Sequence, residues 1–252
     1  MFLSIIIPCY NEGQKLQYNL PIIYNYLFNH TTNDITFEII VVNDGSTDDT
    51  EHIILNKIKP SVDIYKNNKF INFKVITYPN NQGKGFAVKQ GISKSDGDYC
   101  LFMDTDLSTD LSAIQDVIKY TKQGLDVIIG SRTLKESKIP IKRNFIRKLV
   151  SKSCKIITNS LIPLKDLSDT QCGFKTIKTD FAKNVLITHQ TISRFAFDIE
   201  YLYMAKLYNK TIKEIPVLWI DDNDSRVKIA KSSIDFIKSL IQIRKNKEYY
   251  LH

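Results

Sequence analysis

The sequence predicts an α/β domain, a mostly parallel central sheet with helices on both faces. Three observations point there. Short runs rich in β-branched and aromatic residues recur through the first half, helical stretches separate them, and each run stops at a polar cluster. These clusters are Asn11/Glu12, Asp44/Ser46, Lys84 and Asp104/Asp106. Right-handed crossovers between parallel strands bring the strand ends to one edge, where ligands of open α/β sheets bind.

In chain order, Leu3 to Ile7 reads as a buried strand ended by Pro8. A helix is expected from about Glu12 to Phe28, with Leu16, Leu20, Ile23 and Leu27 at helical spacing. Phe37 to Val42 is the second strand, closed by the turn Asn43-Asp44-Gly45-Ser46-Thr47. Residues 59–72 are polar and irregular, the expected surface insertion. Phe73 to Thr77 is the third strand, and Pro79 to Gly85 is a loop before a short helix. Tyr99 to Met103 is the fourth strand, and a helix over Leu111–Tyr120 and a strand over Asp126–Gly130 follow. The second half is less regular. It holds a basic amphipathic helix from Arg143 to Leu161, a loop Asp169 to Lys175 entering a short strand, and a helix from Phe197 to about Leu207. Ile212 to Trp219 is a strand broken by Pro216, hence at an edge or bend. Lys228 to Arg244 is a final helix with Ile234, Ile237, Leu240 and Ile241 on one side. We expect a catalytic domain over 1–222 and, over 223–252, an amphipathic helix packed on it and touching a membrane with part of its surface.

Composition narrows the functional classes. At 252 residues with 43% hydrophobic content, the chain holds one large domain or one domain plus an appendage. It has no run of eighteen apolar residues, and Phe2 to Ile7 is too short for a secretory signal. The net charge of +8 points to anionic partners: nucleotides, lipid phosphates or an acidic membrane face. No nucleic-acid-binding signature accompanies it. The cysteines, Cys9, Cys100, Cys154 and Cys172, are too dispersed for zinc or a redox pair, and Cys9 and Cys100 read as buried hydrophobes.

The chemistry-bearing stretch is Asp104-Thr105-Asp106-Leu107-Ser108, reached straight from an apolar run. Alternate side chains of extended chain share a face, so Asp104 and Asp106 are able to address one spot. That suits Mg²⁺ or Mn²⁺ shared with phosphate; a polar turn after a buried strand is the plainer reading. Gly83-Lys84-Gly85 fits neither the Walker pattern nor Gly-x-Gly-x-x-Gly, since Val88 stands at the third glycine. It is either a tight turn starting a helix or a lysine and free N–H groups set beside a diphosphate.

Taken together, several stretches resemble the family 2 glycosyltransferases, in order and spacing. They are Ile5 to Glu12, Val41 to Asp48, Asn81 to Val88 and Asp104 to Ser108, extended by Gly130-Ser131-Arg132, Asp169 to Lys175, Phe197 to Glu200 and Ser225-Arg226. The resemblance covers nearly the whole chain and favours the branch that makes polyprenyl-phosphate sugars, dolichyl-phosphate glucosyltransferases more than mannosyltransferases. It implies a GT-A fold, a UDP- or GDP-sugar donor with UDP-glucose favoured, a polyprenyl phosphate acceptor, and inversion at the anomeric carbon. By position, Pro8, Tyr10, Glu12 and Asp44 then cradle the nucleoside, with Asp44 on the base; Lys84 lies at the donor; Asp104 reaches the ribose or metal and Asp106 the metal. Asn43 stands where the family usually has Asp, and Ser108 where some relatives have Gln. An anionic acceptor needs arginines more than a base, so Arg132, Arg143, Arg147 and Arg226 are candidates, with Gln171 and Lys175 for the acceptor phosphate. Asp106, Arg132, Arg226 and Asp198 form the expected catalytic set. With a sugar hydroxyl as acceptor, Asp198 is the nominee for general base. A non-catalytic nucleotide-binding module is the third reading. The resemblance further implies a cytoplasmic enzyme, peripheral at a membrane face, with a membrane-protein partner.

Overall fold

A computed structural model describes residues 1–59, 71–140, 145–220 and 229–252, with their side chains apart from those of 145–152 and 229–233. Its centre is a seven-stranded sheet. The strands are β1 (Phe2–Cys9), β2 (Thr36–Asn43), β3 (Ile71–Thr77), β4 (Tyr99–Phe102), β5 (Val127–Ser131), β6 (Lys175–Lys178) and β7 (Ile212–Pro216). They lie in the order β3-β2-β1-β4-β6-β5-β7. All neighbours are parallel except β6, which runs antiparallel to both β4 and β5. β7 pairs with β5 and lies at the sheet edge, as Pro216 requires.

The helices are α1 (Gly13–Asn29), α2 (Thr50–Ile53, continued by a π turn over Ile54–Ile58), α3 (Lys84–Ser93) and α4 (Ala113–Thr121) in the first half. The second half adds α5 (Phe145–Leu161), α6 (Thr179–Phe181, continued by a π turn to Leu186 and by Ile187–His189), α7 (Phe197–Leu207) and α8 (Ile229–Lys245). Alternation along the strands builds a core on each face. Leu3, Ile5 and Ile7 of β1 meet Leu16, Leu20 and Leu27 of α1. Ile6 and Phe102 join Val88 of α3, Leu202 of α7 and Leu240 of α8 on the other face. Gly91 lets α3 lie directly on Ile6, since a Cβ there would overlap that side chain.

The chain leaves β1 for β2 and β3 on one side and returns to β4 on the other. This reversal opens a crevice at the carboxyl ends of β1 and β4, the expected ligand position. Cys9, Cys100 and Cys172 are buried and unpaired. The surface insertion expected at 59–72 falls mainly on 60–70, and the boundary expected near 222 falls on 221–228; both lie outside the described residues. One expectation about α8 is corrected. Its core face is Phe236, Leu240 and Ile243, whereas Ile234, Ile237 and Ile241 are exposed. Two apolar stripes on one helix cannot both be assigned to the core from periodicity alone.

Candidate active site

The crevice is built from the loops after β1, β2, β3 and β4. After β1, Asn11 adopts a left-handed φ of 54°. Its N–H donates to Ser46 Oγ at 2.9 Å, and its Oδ1 accepts from Thr47 N at 2.8 Å. Gly13 N donates to Thr50 Oγ1 at 2.9 Å. The loops after β1 and β2 are thereby one unit. Pro8 is buried in β1 beside Val42, and Tyr10 is exposed at the strand's end.

Asp44 is buried, and both of its oxygens are taken. Oδ1 accepts from Tyr78 Oη at 2.7 Å and Gln82 N at 2.9 Å; Oδ2 accepts from Asn81 Nδ2 at 2.7 Å and Gly83 N at 2.9 Å. The carboxylate that the family resemblance sets on the base clamps the 78–83 loop. Beside it, Asn43 Oδ1 accepts from Ser46 N at 3.2 Å, while its Nδ2, buried, has no partner among the described residues. An Asp here, the usual family residue, would leave no such amide unmatched.

The loop held by Asp44 delivers Lys84. Gly83 has φ 106°, a conformation that favours glycine. A side chain on Gly85 would meet Phe197 and the Ile192 carbonyl, so the 192–197 segment backs the loop. That segment is itself held by Glu200. This buried carboxylate accepts from Thr191 N at 2.8 Å, Ile192 N at 3.1 Å and Tyr250 Oη at 2.7 Å.

Lys84 Nζ is ion-paired with Asp104 at the exit of β4. Burial by itself lowers the ammonium pKa, but Asp104, Asp198 and Asp106 outweigh it and raise the value, so Lys84 stays charged. Asp106 Oδ1 accepts from Ser108 N at 2.9 Å across a turn in which Leu107 has φ 54°. Glu12 joins this exit across the crevice, accepting from Thr105 Oγ1 at 2.7 Å. Its pKa is raised, mainly by burial and also by Asp104 and Asp106, against the Thr105 bond and Lys15. Glu12 thus fastens the β4 exit to the β1 loop.

The fourth wall is the loop before β6. Arg132, after β5, reaches Asp169 through Nε at 2.6 Å, Nη2 at 2.8 Å and its own backbone N at 3.0 Å. Its guanidinium also stands 4.9 Å from the Trp219 ring centroid. Glu214 of β7 accepts from Ser168 N at 2.8 Å and Asp169 N at 3.0 Å. So pinned, the loop passes Gly173 directly over Asp104, where any Cβ would overlap the Asp104 carboxylate. Lys175 is fully buried; it donates to Asp198 Oδ2 at 3.0 Å and to the Cys172 carbonyl at 2.5 Å. Gly173→Ala is expected to lower catalytic turnover by about 10²-fold, the usual cost of a misplaced reacting group. Steady-state kinetics with a circular dichroism control check this, and an unchanged rate would contradict the close approach.

Two of the expected site residues stand in internal contacts. Arg132 is held by Asp169 beside the Trp219 ring and braces the loop before β6. Lys175 is buried and turned to Asp198. Asp104, Asp106, Lys84 and Asp198 are brought to one edge, and Gln171 is exposed on the neighbouring loop. Arg143 and Arg226, and the side chain of Arg147, lie outside the described residues. The bracing residues Thr105, Asn81, Asp169 and Gly173 were not singled out from sequence for these roles, because each acts on a partner remote in the chain.

Among the described residues no cluster of three or more His, Cys, Asp or Glu side chains forms a metal cage. Asp104 and Asp106 offer the two-carboxylate set that Mg²⁺ accepts when phosphate and water complete its shell. The ammonium of Lys84 on Asp104 shows that this position takes positive charge.

Comparison with known proteins bears on the whole chain. The model of the family described as Glycosyl transferase family 2 matches residues 4–186. A dolichyl-phosphate beta-glucosyltransferase of Dictyostelium discoideum is 34% identical over 97% of this chain and 74% of its own length. Proteins of the same name from Mus musculus and Saccharomyces cerevisiae are each 31% identical, over 96% and 97% of this chain and 74% of their own lengths. Among solved structures, S. aureus TarS 1-349 in complex with UDP-GlcNAc superposes with a TM-score of 0.57 at 17% identity, covering 98% of this chain and 67% of that one. Mannosyltransferase PcManGT from Pyrobaculum calidifontis, in complex with GDP-Man and Mn2+, gives 0.54 at 13% identity, covering 97% and 69%.

Proposed function

The chain belongs to glycosyl transferase family 2, with its GT-A fold, and from that premise we propose that this glycosyltransferase moves glucose from UDP-glucose to a polyprenyl phosphate with inversion. The observation that carries the reading is the pairing of Lys84 with Asp104 at the switch-point crevice, with Asp106 on the same exit loop. A leaving nucleoside diphosphate gathers negative charge as its bond to the sugar breaks, and preorganised cations stabilise that charge. Lys84 supplies one such cation. Asp104 and Asp106 would hold the other, Mg²⁺ or Mn²⁺, which would supply charge neutralisation to the diphosphate. Donor binding draws the ammonium of Lys84 from Asp104 toward the phosphates.

The acceptor phosphate is ionised at neutral pH and requires positioning, not deprotonation. Asp198 supports this choice. Its carboxylate is engaged by Lys175 and by the Ile199 amide at 3.0 Å, poorly suited to collect a proton from a sugar hydroxyl. The names of the relatives favour glucose and a dolichyl phosphate acceptor. Arg143, Arg147, Arg226 and Gln171 are proposed to hold the acceptor phosphate, and Asn43, Tyr10 and the Asp44-clamped loop to frame the base. The enzyme is proposed to act at the cytoplasmic face of a membrane, where such a lipid presents its phosphate. No helix among the described residues is long and apolar enough to cross a bilayer.

The test is transfer of labelled glucose into the organic phase with phytanyl phosphate as acceptor and Mg²⁺ present. Label is expected in the lipid from UDP-glucose, much less from GDP-mannose, and none after chelation. Label that appears only in a water-soluble glycan would overturn the reading.

A further inference from the structure

The loop that carries Lys84 rests on the 190–196 segment, and the contact is largely backbone. The Ser193 carbonyl accepts from Phe86 N at 2.8 Å. A side chain on Gly83 would run into Ser193 and Arg194, and one on Gly85 into the Ile192 carbonyl and Phe197. Loop and segment therefore seat against each other with no side chain between them to absorb a shift. Ala196, which closes the segment, has φ 73°. A non-glycine residue keeps that conformation where its surroundings over-determine it.

Glu200 holds the segment, and residues that follow α8 hold Glu200. Besides the Thr191 and Ile192 amides, its carboxylate accepts from Thr191 Oγ1 at 2.6 Å. Those donors all belong to the segment itself. Among the described residues, the Tyr250 hydroxyl is the donor that ties this carboxylate to a separate element, the turn Tyr249–Leu251. Asn246, just past α8, adds a second tie by donating through Nδ2 to Thr191 Oγ1 at 3.1 Å. Tyr250 is itself fixed: its carbonyl accepts from Tyr208 Oη at 2.9 Å, and its ring stands edge-on to Tyr203. Burial first, and then Glu200, push its hydroxyl pKa up, so it stays a donor. Tyr250 is 0% exposed and touches no substrate, so any effect it has on the reaction passes through Glu200.

We propose that Tyr250 and Asn246 are positioning residues for Lys84. They fix Glu200 and Thr191, these fix the 191–193 backbone, and that backbone sets where the Lys84 ammonium meets the donor diphosphate. The chain beyond α8 thereby takes part in donor binding without contacting the donor. The inference rests on the nucleotide-sugar reading and deepens it, and it can be tested without acceptor or turnover.

The test is calorimetric titration of UDP, with Mg²⁺ present, into the full chain, Tyr250→Phe, Lys84→Met and the double variant. Tyr250→Phe keeps the buried ring and removes the hydroxyl. It should weaken UDP binding about fivefold, the scale for residues that act on a ligand through others. Lys84→Met should weaken it about 30-fold, the loss of one charge-assisted hydrogen bond. The double variant should match Lys84→Met, because no ammonium is left to position; independent effects would multiply to about 150-fold. A purely structural role for Tyr250 predicts that multiplication. Asn246→Ala takes the place of Tyr250→Phe in the cycle if a melting curve shows the latter unfolded. Single variants that bind UDP like the parent, or a double variant with the full product, would overturn the relay and leave the donor reading standing. A parent protein that binds no UDP would overturn the donor reading and the relay with it.

Discussion

Asp106→Ala is expected to reduce glucosyl transfer by on the order of 10³-fold, the scale seen when a group stabilising transition-state charge is removed. Asp106 is half-buried on the loop after β4, and its Oδ1 accepts from the Ser108 amide two residues on. The effect should fall on kcat more than on donor affinity, because diphosphate charge peaks as the bond to the sugar breaks. Kinetics at several Mg²⁺ concentrations, with a melting curve as control, measure it. A loss below about tenfold would remove Asp106 from the chemistry.

Asp169→Ala is expected to destabilise the fold by about 3–5 kcal/mol, because it strands a buried guanidinium. Arg132 and Asp169 are 17% and 7% exposed, and Asp169 also receives the Arg132 backbone amide. Burial alone would raise the Asp169 pKa, but Arg132 overrides it and holds the carboxyl at about 2. A carboxylate with a lowered folded-state pKa contributes stability above its unfolded value near 3.8, and that stability is lost as pH falls through about 2. Wild-type unfolding free energy should therefore drop across this window by a term that Asp169→Asn lacks. Denaturant unfolding at pH 5 and below measures both effects. Equal stability of wild type and Asp169→Ala would contradict the brace. Transfer by the variant should also fall, since the same brace sets Gly173 over Asp104.

β1, β2, β4 and β5 were legible because each carries an apolar run with a polar stop, the pattern of parallel strands buried on both faces, whereas β3, at the sheet edge, is only partly buried and interrupts its run with Lys74. Their ends were legible as one edge for the same reason. β6 was less so. Lys175-Thr176-Ile177-Lys178 has a single aliphatic residue, and its burial depends on a lysine matched by Asp198, which is distant in sequence. Its antiparallel direction follows from where the chain returns, which no local pattern encodes. The same limit explains the site. Asp104, Asp106 and Lys84 announce themselves by residue type and position. Whether an arginine is loose or held depends on a partner such as Asp169, and only the fold brings Asp169 to Arg132. Asp44 illustrates the converse: a residue singled out for a ligand serves first to shape the loop that carries Lys84. The two stripes of α8 could not be ranked by period, because both repeat at helical spacing.

The most direct test of the proposed reaction is the structure of its product by ¹H and ³¹P NMR after incubation with UDP-glucose, phytanyl phosphate and Mg²⁺. A β-linked glucosyl phosphodiester of the lipid, formed with release of UDP, is the predicted result. An α-linked product, or glucose found on a hydroxyl group with the lipid phosphate untouched, would contradict it.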